Sequence, residues 1–136
     1  RPVETTDQLA DIVGGVVNPR YLQKSLARVF QGLRIEVNQE LDMLERALQQ
    51  SLKLLRPGGR LIVLAYHSLE DRLVKRFIKT GNTAGEIKKD FYGNTISKMK
   101  PVSKGVIQPS SEEIELNPAA RSARMRVGEK KEEQME

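Results

Sequence analysis

Apolar residues recur at steps of three and four from Leu22 to Leu55. Eleven positions follow this spacing, which places them on one face of an α-helix. A single helix of that length is unusual in a small domain, and a glycine and two β-branched residues weaken its middle. Because Asn38 is a good N-cap residue, the pattern predicts two helices, over residues 20–36 and 39–55.

A different pattern follows over residues 60–66, where the apolar run is continuous. Such runs are typical of strands that are buried on both faces, as in parallel sheets. Helical spacing returns between Leu73 and Ile78 after a polar loop. The succession of helix, turn, buried strand, loop and helix is typical of a doubly wound α/β fold.

Capping residues predict helix starts at three other places. Thr5 and Gln8 have the spacing of a capping box, and so do Ser110 and Glu113. The Asn-Pro pair at positions 18–19 is also typical of the first residues of a helix.

The remaining segments are predicted from glycine, charge and alternation. The glycine pair at 14–15 is expected to end the first helix, and residues 80–100 to form a long, mobile basic loop. Short strands are predicted around 102–107 and 122–127. The second should be an edge or antiparallel strand, because its polar and apolar residues alternate. Residues 129–136 read as a charged, flexible tail.

The charge of the chain is concentrated in one part of it. The 136 residues carry a net charge of +5, but residues 72–126 hold 12 lysines and arginines against 5 acidic residues. A local excess of this size predicts a polyanionic partner. A solvated basic face with counterions is the alternative.

Composition excludes several classes of protein. The chain has no cysteine, which excludes a disulfide scaffold, a zinc ribbon and a thiol nucleophile. With His67 as its one histidine it has no histidine cage, and we expect no metal site. No apolar run approaches the length that crosses a bilayer, so we expect a cytoplasmic protein that does not bind membranes.

The densest polar cluster follows the predicted buried strand and contains His67, Ser68, Glu70 and Asp71. Ligands of open α/β sheets bind beyond the carboxyl ends of such strands. We therefore place these four residues in an active-site wall, with His67 as a candidate for acid–base chemistry. Helix capping by Ser68, with acidic residues in the first turn, is the structural alternative.

Candidate RNA-binding cations lie in three segments. Arg121, Arg124 and Arg126 flank a predicted short strand, where their guanidinium groups would suit phosphates. Arg72 and Lys75 belong to a basic stripe on the predicted helix after His67. Arg34 and the nearby Asn38 complete the candidate set. Aromatic residues are scarce, so recognition of the RNA backbone is favoured over base stacking.

Four blocks make the chain recognisable: FQGLRIEVNQEL at 30–41, LRPGGRL at 55–61, YHSLEDR at 66–72 and NPAARSARMRV at 117–127. In this order they resemble the carboxyl-terminal part of the bacterial small-subunit ribosomal RNA cytosine methyltransferases, the MraW family. The resemblance extends over nearly the whole chain. Tyr66 stands where the family usually has phenylalanine, which is a mild departure.

The resemblance implies an α/β fold: the C-terminal half of a Rossmann-like class I S-adenosylmethionine-dependent methyltransferase, with the end of a helical insertion. Residues 1–36 would end the insertion and assist substrate recognition. Residues 37–128 would form the C-terminal part of the catalytic core, and residues 129–136 the tail. Together with the start at Arg1 rather than Met, this predicts a piece of a longer protein.

The implied activity is transfer of a methyl group from S-adenosylmethionine to the exocyclic amine of a cytidine in small-subunit ribosomal RNA. The family's glycine-rich cofactor loop is not in this sequence, so we expect no cofactor-binding residues here and no activity of the fragment alone. A non-enzymatic basic RNA-binding module is the alternative function. A homodimer built on the long helices is a third interpretation.

Overall fold

The computed structural model describes residues 1–132, which form a mixed α/β structure. Within them lie five α-helices and five strands, with short 3₁₀ turns at Pro19–Tyr21 and Pro118–Ser122. The helices are α1 (Thr6–Val16), α2 (Leu22–Asn38), α3 (Glu40–Leu54), α4 (Ser68–Thr80) and α5 (Ser111–Leu116). The strands are β1 (Arg60–Ala65), β2 (Lys88–Lys89), β3 (Thr95–Ile96), β4 (Met99–Pro101) and β5 (Arg124–Lys130). None of the helices in the described part of the chain is long and apolar enough to span a membrane.

The chain divides into two compact units, Arg1–Glu40 and Leu41–Glu136. In the first unit the predicted capping box is confirmed, because the Thr5 side chain accepts from the Gln8 N–H and the Gln8 side chain accepts in return. The predicted end of α1 at the glycine pair is wrong, since the helix continues to Val16. Glycine costs only about 1 kcal/mol inside a helix, whereas Pro19 forces Asn18 into an extended conformation and so ends the element.

The prediction of two helices from one long stripe is confirmed, but Asn38 does not cap the second. It is the last residue of α2. The break lies at Gln39, which adopts a left-handed conformation with φ of 50° and donates its N–H to Glu36 and Ile35 carbonyls. Left-handed residues commonly end helices, although glycine or asparagine usually fills the position.

A three-stranded sheet with the order β1-β5-β4 organises the second unit. Both pairings are antiparallel, so β1 and β4 run in the same direction on either side of β5. One face of β1 packs on the core through Leu61 and Val63, against a cluster that includes Val74 and Phe77 of α4.

The prediction that β1 is buried on both faces, in parallel pairing, is not met within residues 1–132. Ile62 is 63% exposed and Leu64 is 51% exposed, and the strand lies at the edge of the sheet, antiparallel to β5. The physical reason is that α4 covers only one face of β1. Because successive side chains of a strand point to opposite faces, every second apolar residue of β1 is left exposed.

The strand predicted over 122–127 as an edge or antiparallel strand is confirmed as antiparallel, since β5 runs antiparallel to both of its neighbours. It is not an edge strand, and the tail predicted from residue 129 begins too early. β5 continues to Lys130 and is the central strand of the sheet. It passes very close to the core at Gly128, where an added Cβ would lie 2.9 Å from atoms of Ile78 and Met99. Its charged end is satisfied because Lys130 Nζ donates to the carbonyls of Leu52 and Leu55. Residues 133–136 of the predicted tail lie outside the described residues.

Residues 80–100, predicted as a mobile loop, contain the β2–β3 hairpin and the start of β4. The strand predicted at 102–107 is displaced, because β4 covers Met99–Pro101. Within 102–107 the contacts with β5 are a hydrogen bond from the Val102 N–H to the Val127 carbonyl and a bridge between Ile107 and Met125. The position of β4 depends on its pairing with β5, and local sequence patterns do not reveal that pairing. The predicted helix at Ser110 is confirmed, with the serine side chain accepting from the Glu113 N–H.

Candidate functional site

The polar segment after β1 is built around the start of α4. His67 is the N-cap residue, and its Nδ1 accepts a hydrogen bond from the Glu70 N–H at 3.3 Å. Capping by Ser68 is therefore not observed, because the serine is already the first helical residue. The extended backbone at His67 turns its ring back over the first helical turn and puts an imidazole nitrogen where a serine oxygen usually lies.

Both ring nitrogens of His67 are engaged by the same residue. Nδ1 accepts from the Glu70 backbone, and Nε2 contacts the Glu70 carboxylate. The His67 side chain is only 8% exposed. This arrangement makes His67 a rigid part of the turn between β1 and α4.

Asp71 forms an ion pair inside the structure. The residue is 6% exposed, and its two carboxylate oxygens accept from Arg126 Nε at 2.6 Å and Nη2 at 3.0 Å. Arg124 Nη1 lies 3.7 Å from the same carboxylate. The hydrogen bond from Arg126 lowers the pKa of Asp71 from its usual value, and the charge of Arg124 acts in the same direction. The pair joins α4 to β5 beside the end of β1.

A cleft of about 270 Å³ opens at this end of the sheet. We call it the strand-end cleft. Its lining residues come from the turn between β1 and α4, from the segment before α5, from the 3₁₀ turn at Pro118–Ser122 and from the start of β5: Tyr66, His67, Ser68, Gln108, Arg121, Ser122, Ala123 and Arg124. Four residues selected from the sequence, in two segments more than fifty positions apart, thus lie around one cleft.

The other candidate residues lie elsewhere. Arg72 and Lys75 are exposed on α4, and Lys75 is near enough for its charge to contribute to the lowered pKa of Asp71. In the first unit, Arg34 Nε donates to Glu40 at 3.0 Å and Asn38 Nδ2 donates to the same carboxylate at 3.4 Å. Both of these side chains are thus engaged with a neighbouring acid.

Sequence reasoning missed Tyr66 and Gln108, which line the cleft. It predicted Arg126 as a phosphate contact, but Arg126 binds Asp71 instead. The role of Arg126 had a signal, because residues two apart on a strand share a face and Arg124 was already a candidate. The sequence carried no such signal for Gln108, which lies in an irregular segment.

The cleft combines neutral polar groups with exposed cations. Ser68 and Gln108 offer oxygen atoms that can accept hydrogen bonds, while Arg121 is exposed and the Arg124 side chain is 47% exposed. Guanidinium groups in such positions suit a phosphate. The arrangement can therefore hold a phosphorylated ligand next to polar acceptors.

Comparison with known proteins shows to which family the chain belongs. The profile of the MraW methylase family matches residues 1–131, almost the whole chain. The chain belongs to the MraW methylase family. The segments around the strand-end cleft, 66–72 and 117–127, are two of the blocks on which the resemblance to this family rests.

Curated relatives in the MraW family carry the name ribosomal RNA small subunit methyltransferase H. The protein of Amoebophilus asiaticus is 57% identical over 129 residues, which cover 95% of this chain and 42% of the relative. That of Flavobacterium johnsoniae is 50% identical over 130 residues, covering 96% and 43%. The chain therefore spans less than half the length of these relatives.

Proposed function

We propose that the whole protein transfers a methyl group from S-adenosylmethionine to the exocyclic amine of a cytidine in small-subunit ribosomal RNA, in the cytoplasm. The observation that carries the proposal is the strand-end cleft, where two family blocks distant in sequence meet around polar acceptors and arginines. The names of the relatives support the class of reaction and the class of substrate.

We propose further that this chain is the C-terminal half of a Rossmann-like class I methyltransferase. The antiparallel β5 between two strands of common direction supports this assignment. The edge of β1, together with the exposed side chains of Ile62 and Leu64, offers a surface on which further strands and a helix would pack. Residues 1–36 would then belong to the helical insertion.

The residues of this chain do not by themselves fit a complete S-adenosylmethionine site. The strand-end cleft is slightly smaller than the range of about 300–1,000 Å³ that is usual for small-molecule sites. Asp71, an acid that could accept from ribose hydroxyls, is bound to Arg126 instead. We therefore assign cofactor binding to the rest of the protein and derive no step through the cofactor from these residues.

The cleft residues divide into positioning and contact groups. His67, held at both nitrogens by Glu70, acts as a positioning residue that fixes the turn carrying Ser68. The exocyclic amine of cytidine is a weak nucleophile because its lone pair is conjugated with the ring. Acceptors such as Ser68 Oγ would orient this amine and stabilise the positive charge that develops on it.

Arg121 and Arg124 are the proposed phosphate contacts at the mouth of the cleft. Asp71 would keep Arg124 near the cleft, since the two charges lie 3.7 Å apart. Contacts to phosphate position the RNA without reading its sequence. Arg72 and Lys75 on α4, and Arg34 with Asn38 in the first unit, remain proposed auxiliary contacts to the RNA.

The test is to delete the gene in its host and to measure N4-methylcytidine in small-subunit ribosomal RNA by mass spectrometry. We expect the modification to disappear, to return with the wild-type gene and to stay strongly reduced with the Arg121→Gln/Arg124→Gln variant. Arg46→Gln, an exposed cation on α3, is the matched control and should restore it. Unchanged N4-methylcytidine after deletion would contradict the proposal and favour the non-enzymatic RNA-binding module.

A further inference from the structure

The β2–β3 hairpin exposes two aromatic side chains at its tip. Phe91 is 97% exposed and Tyr92 is 86% exposed. Their ring centroids lie 5.6 Å apart with perpendicular planes. Aromatic side chains this exposed contribute no burial free energy to the fold, but they gain free energy when a partner covers them. Since the chain has only six phenylalanines and tyrosines, two adjacent ones on one turn are a notable concentration.

The turn that carries these rings is held by hydrogen bonds. Asp90 Oδ1 accepts from the N–H groups of Tyr92 and Asn94, each at 2.9 Å. The Asp90 N–H in turn donates to the Asn94 carbonyl. The two rings therefore stand on a defined turn, so that little conformational entropy is lost when a ligand binds them.

The base of the hairpin is attached to the second unit. Gly81 at the end of α4 lies so close to Lys98 that an added Cβ would be 2.8 Å from its nitrogen. The Asn82 side chain bonds both the N–H and the carbonyl of Glu86. Thr83 donates to Glu45 of α3 at 2.7 Å. We call residues 86–98 the hairpin arm. Its base is anchored and its tip is exposed.

The positive charge next to the arm favours the binding of a polyanion. Lys88 and Lys89 precede the rings and Lys98 follows them, all exposed. One side of the arm borders a groove of about 1,250 Å³, whose lining holds five lysines and three acidic residues and is therefore net positive. The groove lies by Lys98 and Lys130, at the opposite end of β5 from the strand-end cleft.

We propose that the hairpin arm binds a single-stranded segment of RNA, with unpaired bases stacked on Phe91 and Tyr92 and phosphates along the lysine-lined groove. Every base has a π-face, and stacking on aromatic side chains beside a cationic groove is the usual way in which single strands are bound. The inference rests on the proposed function, because it assigns a second contact to the same RNA substrate.

Exposed aromatic rings could also contact a lipid surface or another protein. The polar and cationic lining of the groove favours RNA over both. A lipid surface would need a broad apolar face beside the rings. Ile87 and Ile96 of the arm are about half exposed, but the groove next to them is lined by five lysines and by polar residues such as Asn94. A protein partner would need an apolar patch of larger area around them. Both partners are outcomes of the experiment below.

The experiment compares binding of a short single-stranded RNA, the same RNA with abasic sites, and its duplex to the full-length protein. For the Phe91→Ala/Tyr92→Ala variant we expect the affinity for the single strand to fall about tenfold or more. The salt dependence of binding should not change, because the phosphate contacts remain. Affinity for the abasic RNA should be low for both proteins. Phe91→Trp/Tyr92→Trp should retain binding, and Leu116→Ala, which removes an 89% exposed apolar side chain, is the matched control.

Equal affinity of the wild-type protein and the alanine variant for the single strand would overturn the inference. A selective loss of binding to phosphatidylserine vesicles, or a change in self-association alone, would also overturn it in favour of a membrane or a protein partner. These results leave the proposed function intact, because that is decided separately by the N4-methylcytidine of the ribosomal RNA.

Discussion

The two ends of the small sheet differ in how much of their charge is held by contacts within the chain. Beside the strand-end cleft Asp71 binds Arg126 and Glu70 contacts His67, while Arg121 and Arg124 are exposed. At the hairpin arm, Lys88 and the ring of Phe91 project into solvent. Groups that orient a reacting atom need fixed positions, whereas capture of a flexible polyanion works with exposed cations and rings. The comparison supports our proposals that one end takes part in chemistry and the other binds RNA.

The largest effect that tests this comparison is expected at Asp71. The change Asp71→Asn leaves the guanidinium group of Arg126 buried without its counter-charge, and loss of one partner of such a pair costs about 3 kcal/mol. Denaturant unfolding of the full-length protein should show this loss in the free energy of unfolding. Asp42→Asn, at an exposed carboxylate on α3, should change it by less than about 0.5 kcal/mol. Equal stability of the two variants would mean that the cleft is not held by its ion pair.

The same variant makes a prediction about pH. Because the pKa of Asp71 is lowered in the folded protein, its contribution to stability is present above the unfolded value, near 3.8. It is lost as pH falls below that value towards the folded pKa. The difference in unfolding free energy between wild type and Asp71→Asn should therefore shrink at acidic pH. A constant difference from neutral to acidic pH would contradict the assignment of the ion pair.

A smaller effect is expected at His67. If the imidazole acts as helix cap and positioning residue, His67→Ala should cost about 1 kcal/mol of stability and lower the methylation rate. His67→Asn supplies a good capping oxygen and should restore most of both. In addition, the pH profile of the rate should be similar for wild type and His67→Asn. A rate that stays low in His67→Asn, with loss of the acid limb of the profile, would instead make His67 an acid–base group.

Local signals in the sequence account for the elements that were predicted well. The capping box of Thr5 and Gln8, the Asn-Pro start at 18–19 and the strand over 60–66 each depend on neighbouring residues. These signals work because helix starts and strands have short-range physical requirements. Four cleft residues were predicted in the same way, two from the polar segment after a strand and two as neighbouring arginines.

The features that the sequence did not reveal depend on distant contacts. The central position of β5 follows from pairing with β1 and β4, and no local alternation distinguishes a central from an edge strand. Asp71 and Arg126 are 55 positions apart, so their bond is not visible from spacing. The hairpin arm has strands of only two residues, too short for any periodicity. Its rings were counted in the composition, but their exposure was not foreseen.

The most direct test of the division between the two ends is to separate turnover from RNA affinity. Single-turnover methylation of small-subunit ribosomal RNA should be measured over a range of RNA concentration with full-length protein. The account predicts that Phe91→Ala/Tyr92→Ala raises the RNA concentration needed for half-maximal rate but leaves the maximal rate unchanged, and that His67→Ala lowers the maximal rate. A lowered maximal rate for the arm variant, with unchanged RNA dependence, would contradict it.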